Sequence, residues 1–296
     1  MSNHLKNCGN CAHSARRFLP ERGETALMCS GFDDRQDFVV QEQMGWNCRD
    51  WYPREPTVCR TAIIGAMESE VSEIRRAMTN VYEVVSANRV YTFGEFAGKS
   101  ILLVVTREGK VAAAQAVTTA IVKHGAETVI FVGVAGGIDV QLRQGDVVVG
   151  IGHVQYDVDV SAFGRAKYEL PSIGKVLIEA DAELVSLAET SAARFVSDTG
   201  DKLYTGVIAT GDKFVSDSKI KAELQNGIAN LLCVDMESAS AAQVCFEHGV
   251  KFVALRVISD NADESASLDF ESFVEKRASI ELYEIVRGML EQEDTK

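Results

Sequence analysis

The sequence predicts an α/β layered domain with a largely parallel or mixed sheet, preceded by a small cysteine-rich segment. Three observations predict it. From residue 61 onward, apolar runs of strand length alternate with stretches of helical spacing. Acids and glycines recur just past the ends of those runs, where ligands sit in open α/β sheets. Four of the seven cysteines, Cys8, Cys11, Cys29 and Cys48, crowd into the first fifty residues.

The elements follow in order. Residues 61–65 form a short buried strand, and 68–78 a helix with Val71, Ile74 and Met78 on one face. Residues 89–96 and 100–106 read as a hairpin around Gly98. Residues 110–124, rich in Ala and Val, read as a helix packed on both sides and stopped at Gly125. A strand over 128–132 runs into a turn, Gly133-Val134-Ala135-Gly136-Gly137, and another spans 146–154. A helix over 181–195 and a strand over 204–209 come next. An apolar strand then ends at Val234-Asp235, a helix covers 238–248, and a strand over 251–258 ends at Ser259-Asp260. Residues 270–291 close the chain as one helix. Pro53 and Pro56 punctuate the boundary, which divides a module over 1–56 from a domain over 60–296.

Composition sets the class. The chain has 296 residues, 46% hydrophobic and 25% charged, enough for one large domain plus something small. Residues 1–58 hold seven basic and eight acidic side chains, so nearly all of the net charge of −13 falls on the rest. An acidic body argues against binding nucleic acid or an anionic membrane. No apolar run approaches the roughly 18 residues that span a bilayer. The start, Met1 to Cys8, lacks the apolar core of a signal peptide, so a cytoplasmic location is expected.

An odd cysteine count without an export signal argues against a disulfide framework. Cys233 and Cys245 lie in apolar stretches and read as small core residues. Cys8-x2-Cys11 with Cys29 and Cys48 makes a four-thiolate set that suits zinc or an iron–sulfur cluster. A segment of this length builds little core by itself, and a metal would supply the missing stability.

The candidate site lies at the strand ends. Glu70, Glu237 and Asp260 each have a plain explanation as helix-terminal or turn acids. Together, two acids at the ends of neighbouring strands face one pocket, where one binds sugar hydroxyls and the other protonates a leaving group. Neither a G-x-G-x-x-G fingerprint nor a G-x-x-x-x-G-K-[ST] loop occurs, which disfavours nicotinamide cofactors and nucleoside triphosphates.

The segments I-I-G-A-M-E-S-E-V (63–71), G-K-V-A-A-A (109–114), G-V-A-G-G-I (133–138), G-D-V-V-V (145–149), Y-D-V-D-V-S-A-F-G (156–164), T-G-D-K-F-V (210–215), V-D-M-E-S-A (234–239) and V-I-S-D-N-A-D (257–263) keep their order over roughly four-fifths of the chain. As a set they resemble the bacterial 5′-methylthioadenosine/S-adenosylhomocysteine nucleosidases of the purine nucleoside phosphorylase superfamily. The resemblance implies a three-layer αβα domain with a mixed central sheet. It implies hydrolysis of an adenosine-type N-glycosidic bond in 5′-methylthioadenosine, S-adenosylhomocysteine or 5′-deoxyadenosine, without a cofactor, in a homodimer.

Residue roles follow from the same resemblance. Asp260 would be the general acid, supported by Ser259, and Glu70 would polarise the attacking water. Glu237 would accept the ribose hydroxyls with Met236 against the sugar. Phe214 would stack on adenine and the backbone of Val215 would read its edge. Ala66, Ala135 and Gly136 would border ribose and water. The pattern departs from the family's at Val134 (Ser), at Asp235-Met236-Glu237 (E-M-E) and at Thr106-Arg107-Glu108-Gly109-Lys110 (S-G-x-G-K). Arg107 could touch a substrate substituent, bind an anion, which would allow phosphorolysis, or equally form a surface ion pair. The resemblance implies that the superfamily's phosphorylases hold phosphate with an arginine on the strand before the glycine turn, and the absence of a cation from Val129-Ile130-Phe131-Val132 favours hydrolysis. A nucleoside-binding sensor coupled to the cysteine module is the reading from another class.

Overall fold

The computed structural model describes residues 59–274 and 277–292, together with three short strands nearer the amino end. Those strands are β1 (Ser14–Leu19), β2 (Glu24–Cys29) and β3 (Phe38–Val39), an antiparallel sheet in the order β1-β2-β3. Cys8, Cys11 and Cys48 lie outside the described residues. Of Cys29 the backbone is described, as the last residue of β2.

The larger unit is an αβα sandwich around a mixed sheet. Its strands are β4 (Thr61–Gly65), β5 (Thr79–Ser86), β6 (Arg89–Phe96), β7 (Lys99–Val105), β8 (Thr128–Gly137), β9 (Val147–Gln155), β10 (Ile178–Glu179), β11 (Leu203–Thr210), β12 (Leu231–Asp235) and β13 (Lys251–Asp260). Strands β4, β7, β8 and β13 run parallel to their neighbours in the centre, where both faces are covered and every side chain from Ala62 to Ile64 and from Ile101 to Val104 is buried. The helices are α1 (Glu68–Ala77), α2 (Lys110–Val122), α3 (Ala182–Thr199), α4 (Ser218–Gly227), α5 (Ser238–His248), α6 (Ala266–Val274) and α7 (Ala278–Gln292). One layer packs α2 on α5, and the other packs α1 and α3 on α7.

The sheet also closes on itself. β13 pairs parallel with β8 and antiparallel with β9, β9 pairs with β11, β11 with β12, and β12 returns antiparallel to the end of β8. The turn expected at 133–137 is therefore strand. Gly136 pairs with Asp260 on one side and Val234 on the other, so main-chain partners hold extended a stretch whose glycines alone suggest a turn.

Local signals account for the ends of the helices. The Asp181 carboxylate accepts from the N–H groups of Glu183 and Leu184 at the start of α3, and Gly200 ends it at φ 84°. Asp217 caps α4 in the same way. α2 departs from expectation because it buries one face only. Ala113, Ala116, Val117 and Ala120 are buried, while Val111 and Val122 are exposed. The single closing helix is two, α6 and α7. Arg277 lies in a turn between them, with its guanidinium 2.9 Å from Asp201 and 2.6 Å from Glu281. Strand β5 and helix α4 carry no expectation from sequence. Cys233 and Cys245 are fully buried.

Candidate active site

The carboxyl ends of β4, β8, β12 and β13 enclose a cavity of about 260 Å³, near the lower end of the range for small-molecule sites. Glu70, Asp260, Ala66, Ala135, Gly136, Phe214, Val215, Met236, Glu237 and Ser259 all line it. The fold thus brings together every residue singled out for catalysis or substrate binding.

Glu70 sits in the first turn of α1, directly after β4, and is 2% exposed. Its Oε2 accepts from the N–H groups of Ala66 at 2.7 Å and Met67 at 2.8 Å, and its Oε1 from that of Val134 at 3.0 Å. Three backbone donors therefore hold one carboxylate. Burial pushes its pKa up, and the Arg256 charge and the three N–H groups oppose that rise. A Cβ on Gly133 would lie 2.7 Å from Glu70 Oε1, so only glycine clears the carboxylate there.

Asp260 ends β13 opposite Gly136 and is 3% exposed. Its Oδ1 accepts from the Ala262 N–H at 2.8 Å, and Ala262 adopts the left-handed conformation (φ 50°). Its Oδ2 lies 2.8 Å from the Ser259 hydroxyl, which is also 3.3 Å from the Ala135 carbonyl. The hydroxyl has one proton, so the arrangement admits two states. With Asp260 ionised, Ser259 donates to it. With Asp260 protonated, Asp260 donates to Ser259 and Ser259 to Ala135. Burial pushes the Asp260 pKa up, against the Ala262 and Ser259 bonds.

Glu237 precedes α5 and is buried, with Oε1 accepting from the Gly109 N–H at 2.7 Å. Burial, then the neighbouring Asp235, push its pKa up. Phe214 is half exposed and meets Phe270 edge-on, with ring centroids 5.7 Å apart.

Sequence reasoning missed the cation beneath these acids. Arg256, 1% exposed in mid-β13, pairs with Asp235 at 2.9 Å and donates to Ser238 Oγ at 2.7 Å and to the carbonyls of Phe131 and Leu255. Asp235 in turn accepts from the hydroxyls of Thr210 and Ser238. The available signal was a lone arginine inside the apolar run Phe252 to Ile258. One buried guanidinium thus pairs with Asp235, and its charge opposes the rise in the pKa of Glu70 and Glu237.

This fold and cavity match a known class. Residues 60–291 match the model of the phosphorylase superfamily, and the chain belongs to that superfamily. Within it the chain belongs to the 5′-methylthioadenosine/S-adenosylhomocysteine nucleosidase family. The nucleosidase of Geobacillus kaustophilus is 38% identical over 231 residues, which cover 78% of this chain and 96% of the relative. The nucleosidase of Neisseria meningitidis, solved with methylthio-immucillin-A, superposes with a TM-score of 0.74 at 36% identity, over 78% of this chain and 98% of its own. The futalosine hydrolase of Helicobacter pylori superposes with a TM-score of 0.73 at 33% identity, over 79% and 98%.

Proposed function

We propose that the chain hydrolyses the N-glycosidic bond of 5′-methylthioadenosine and S-adenosylhomocysteine, releasing adenine and the 5-substituted ribose. The observation that carries this reading is that two desolvated carboxylates from different elements line one cavity. Glu70, from the start of α1, accepts from the Val134 N–H, and Asp260, at the end of β13, pairs with Gly136, so both reach the end of β8 and line one cavity. An inverting hydrolysis needs two such carboxyl groups, one protonated and one ready to accept a proton.

In the reaction the C1′–N bond breaks and its electron pair leaves with adenine. Asp260 gives its proton to the imidazole-ring nitrogen of the base. Water, polarised by Glu70, adds its oxygen to C1′ and passes a proton to Glu70. Proton donation of this kind contributes ~10²–10⁴-fold. Carboxylates near the sugar favour the positive charge that builds on the ribose. Glu237 and Met236 hold the sugar, Phe214 stacks on the base, and Ser259, Ala135 and Gly136 support the acid. Phosphorolysis would need an anion clamp, but among the described residues lining the cavity Lys213 is the only cation and it lies at the rim. Arg107 does not line the cavity.

The test is adenine release from 5′-methylthioadenosine with and without phosphate. Phosphate-independent release with free methylthioribose is expected. A requirement for phosphate would make the chain a phosphorylase, and saturable binding without release would make it a sensor.

The same reading includes a cytoplasmic homodimer acting in nucleoside catabolism and methionine salvage, with no cofactor for the chemistry. It includes zinc or an iron–sulfur cluster on Cys8, Cys11, Cys29 and Cys48. Their thiolate chemistry supports the metal, and metal analysis of the purified protein tests it.

A further inference from the structure

The rim of the cavity carries two charges that the hydrolysis above does not use. Glu108 and Lys213 both line the cavity, and both are exposed. They stand on touching loops. The N–H of Lys110 donates to Asp212 Oδ1 at 2.8 Å, and a Cβ on Gly109 would lie 3.1 Å from that same oxygen. The loops are also fixed from below. Lys110 Nζ is 2.6 Å from Asp157 Oδ1, the N–H of Asp212 donates to Asp157 Oδ2, and the Tyr156 hydroxyl donates to the Lys213 carbonyl at 3.2 Å. The nearby cation Lys110 and the anions Asp157 and Asp212 are thus engaged with one another. No ion pair joins Glu108 or Lys213 to another described residue.

Which part of a ligand meets this rim follows from the reading above, on which the present inference rests. The base must reach Asp260 and the ribose must reach Glu237, and both of those carboxylates are buried. The part of the nucleoside left to face the exposed rim is the 5′ substituent. The Gly109 N–H bound to Glu237 puts Glu108 one residue from the sugar's own carboxylate, within reach of a tail leaving the ribose.

We propose that Glu108 and Lys213 select a 5′ substituent that ends in an amino-acid zwitterion, Glu108 taking the ammonium and Lys213 the carboxylate. S-Adenosylhomocysteine carries such a tail, and 5′-methylthioadenosine ends in an uncharged methyl. The two rim charges therefore act on the first substrate and leave the second as an internal reference. Removing one exposed charge costs about 2- to 5-fold in preference, and salt weakens the effect because both charges stand in solvent.

The experiment compares kcat/KM for the two nucleosides in the wild-type, Glu108→Gln, Lys213→Met and Glu108→Lys proteins at low and high salt. The ratio for S-adenosylhomocysteine over 5′-methylthioadenosine is expected to fall about 2- to 5-fold in each of the first two variants. It should fall further in the charge reversal, and the wild-type ratio should decline with salt. Equal changes for both substrates, or a ratio that moves in no variant, would overturn the inference while the hydrolase reading stands. A wild-type protein that cleaves neither nucleoside would overturn both.

Discussion

Glu70 and Asp260 are buried to the same degree and line the same cavity, yet they are mounted differently. Glu70 faces three backbone N–H groups and an arginine charge, all of which require an acceptor. Asp260 faces one N–H and a hydroxyl that can give or take. Burial raises both pKa values, but the surroundings of Glu70 favour a carboxylate and those of Asp260 tolerate a carboxylic acid. The contrast teaches that acid and base can be assigned from the donors around each group rather than from depth alone.

Substitution separates the two mounts most sharply. Asp260→Asn keeps an acceptor for Ala262 and a donor for Ser259, so the fold should persist while kcat drops by ~10²–10⁴. Single-turnover kinetics beside a thermal melt would show this, and a full-speed variant would break the assignment. Glu70→Gln should lose activity and also about 1–3 kcal/mol of stability, because one amide oxygen cannot serve three donors. A denaturant titration matching wild type would show that the three N–H groups are not what holds Glu70.

Smaller changes probe the clearance around each acid. Gly133→Ala puts a methyl 2.7 Å from Glu70 Oε1, and Gly136→Ala puts one 3.0 Å from Asp260 Oδ1. The first should act like a partial Glu70 lesion, costing about 1–3 kcal/mol. The second should mainly lower kcat.

The pH dependence carries a sign. A raised Asp260 pKa means that the acid form is lost, and kcat falls, as pH rises through that raised value. The Asp260→Asn protein should lack this limb.

Glu281 offers a control outside the cavity. Burial pushes it up to about 7 from an ordinary 4.5, with Arg277 opposing. Its contribution to stability is full below the ordinary value and is lost as pH rises through about 7. Glu281→Gln should flatten that part of the stability profile, as thermal melts on either side of about pH 7 would show.

Much of this arrangement was legible in the sequence. Apolar runs such as 61–65 and 251–258 announced central strands, and the acids at their ends announced the cavity. Strand β5 escaped notice because every residue in it is at least partly exposed, and α4 because it buries only Leu224. The continuation of β8 through Gly137 depends on pairing with strands about a hundred residues away. Arg256 read as part of a strand because its partners, Asp235 and Phe131, come from other elements. Local pattern reports what a segment buries, whereas these features depend on what other segments bring to it.

The closed ring of strands has a consequence for how the chain is made. β13 lies between β8 and β9, yet it leaves the ribosome after every other described strand. Until residue 260 emerges, the facing edges of β8 and β9 present unpaired N–H and C=O groups to solvent and to other nascent chains. A transcript truncated before Lys251 would yield a sheet with its seam open. Co-translational folding should therefore show one late, cooperative gain of protease resistance as β13 enters, with Asp260 arriving on the strand that seals the fold.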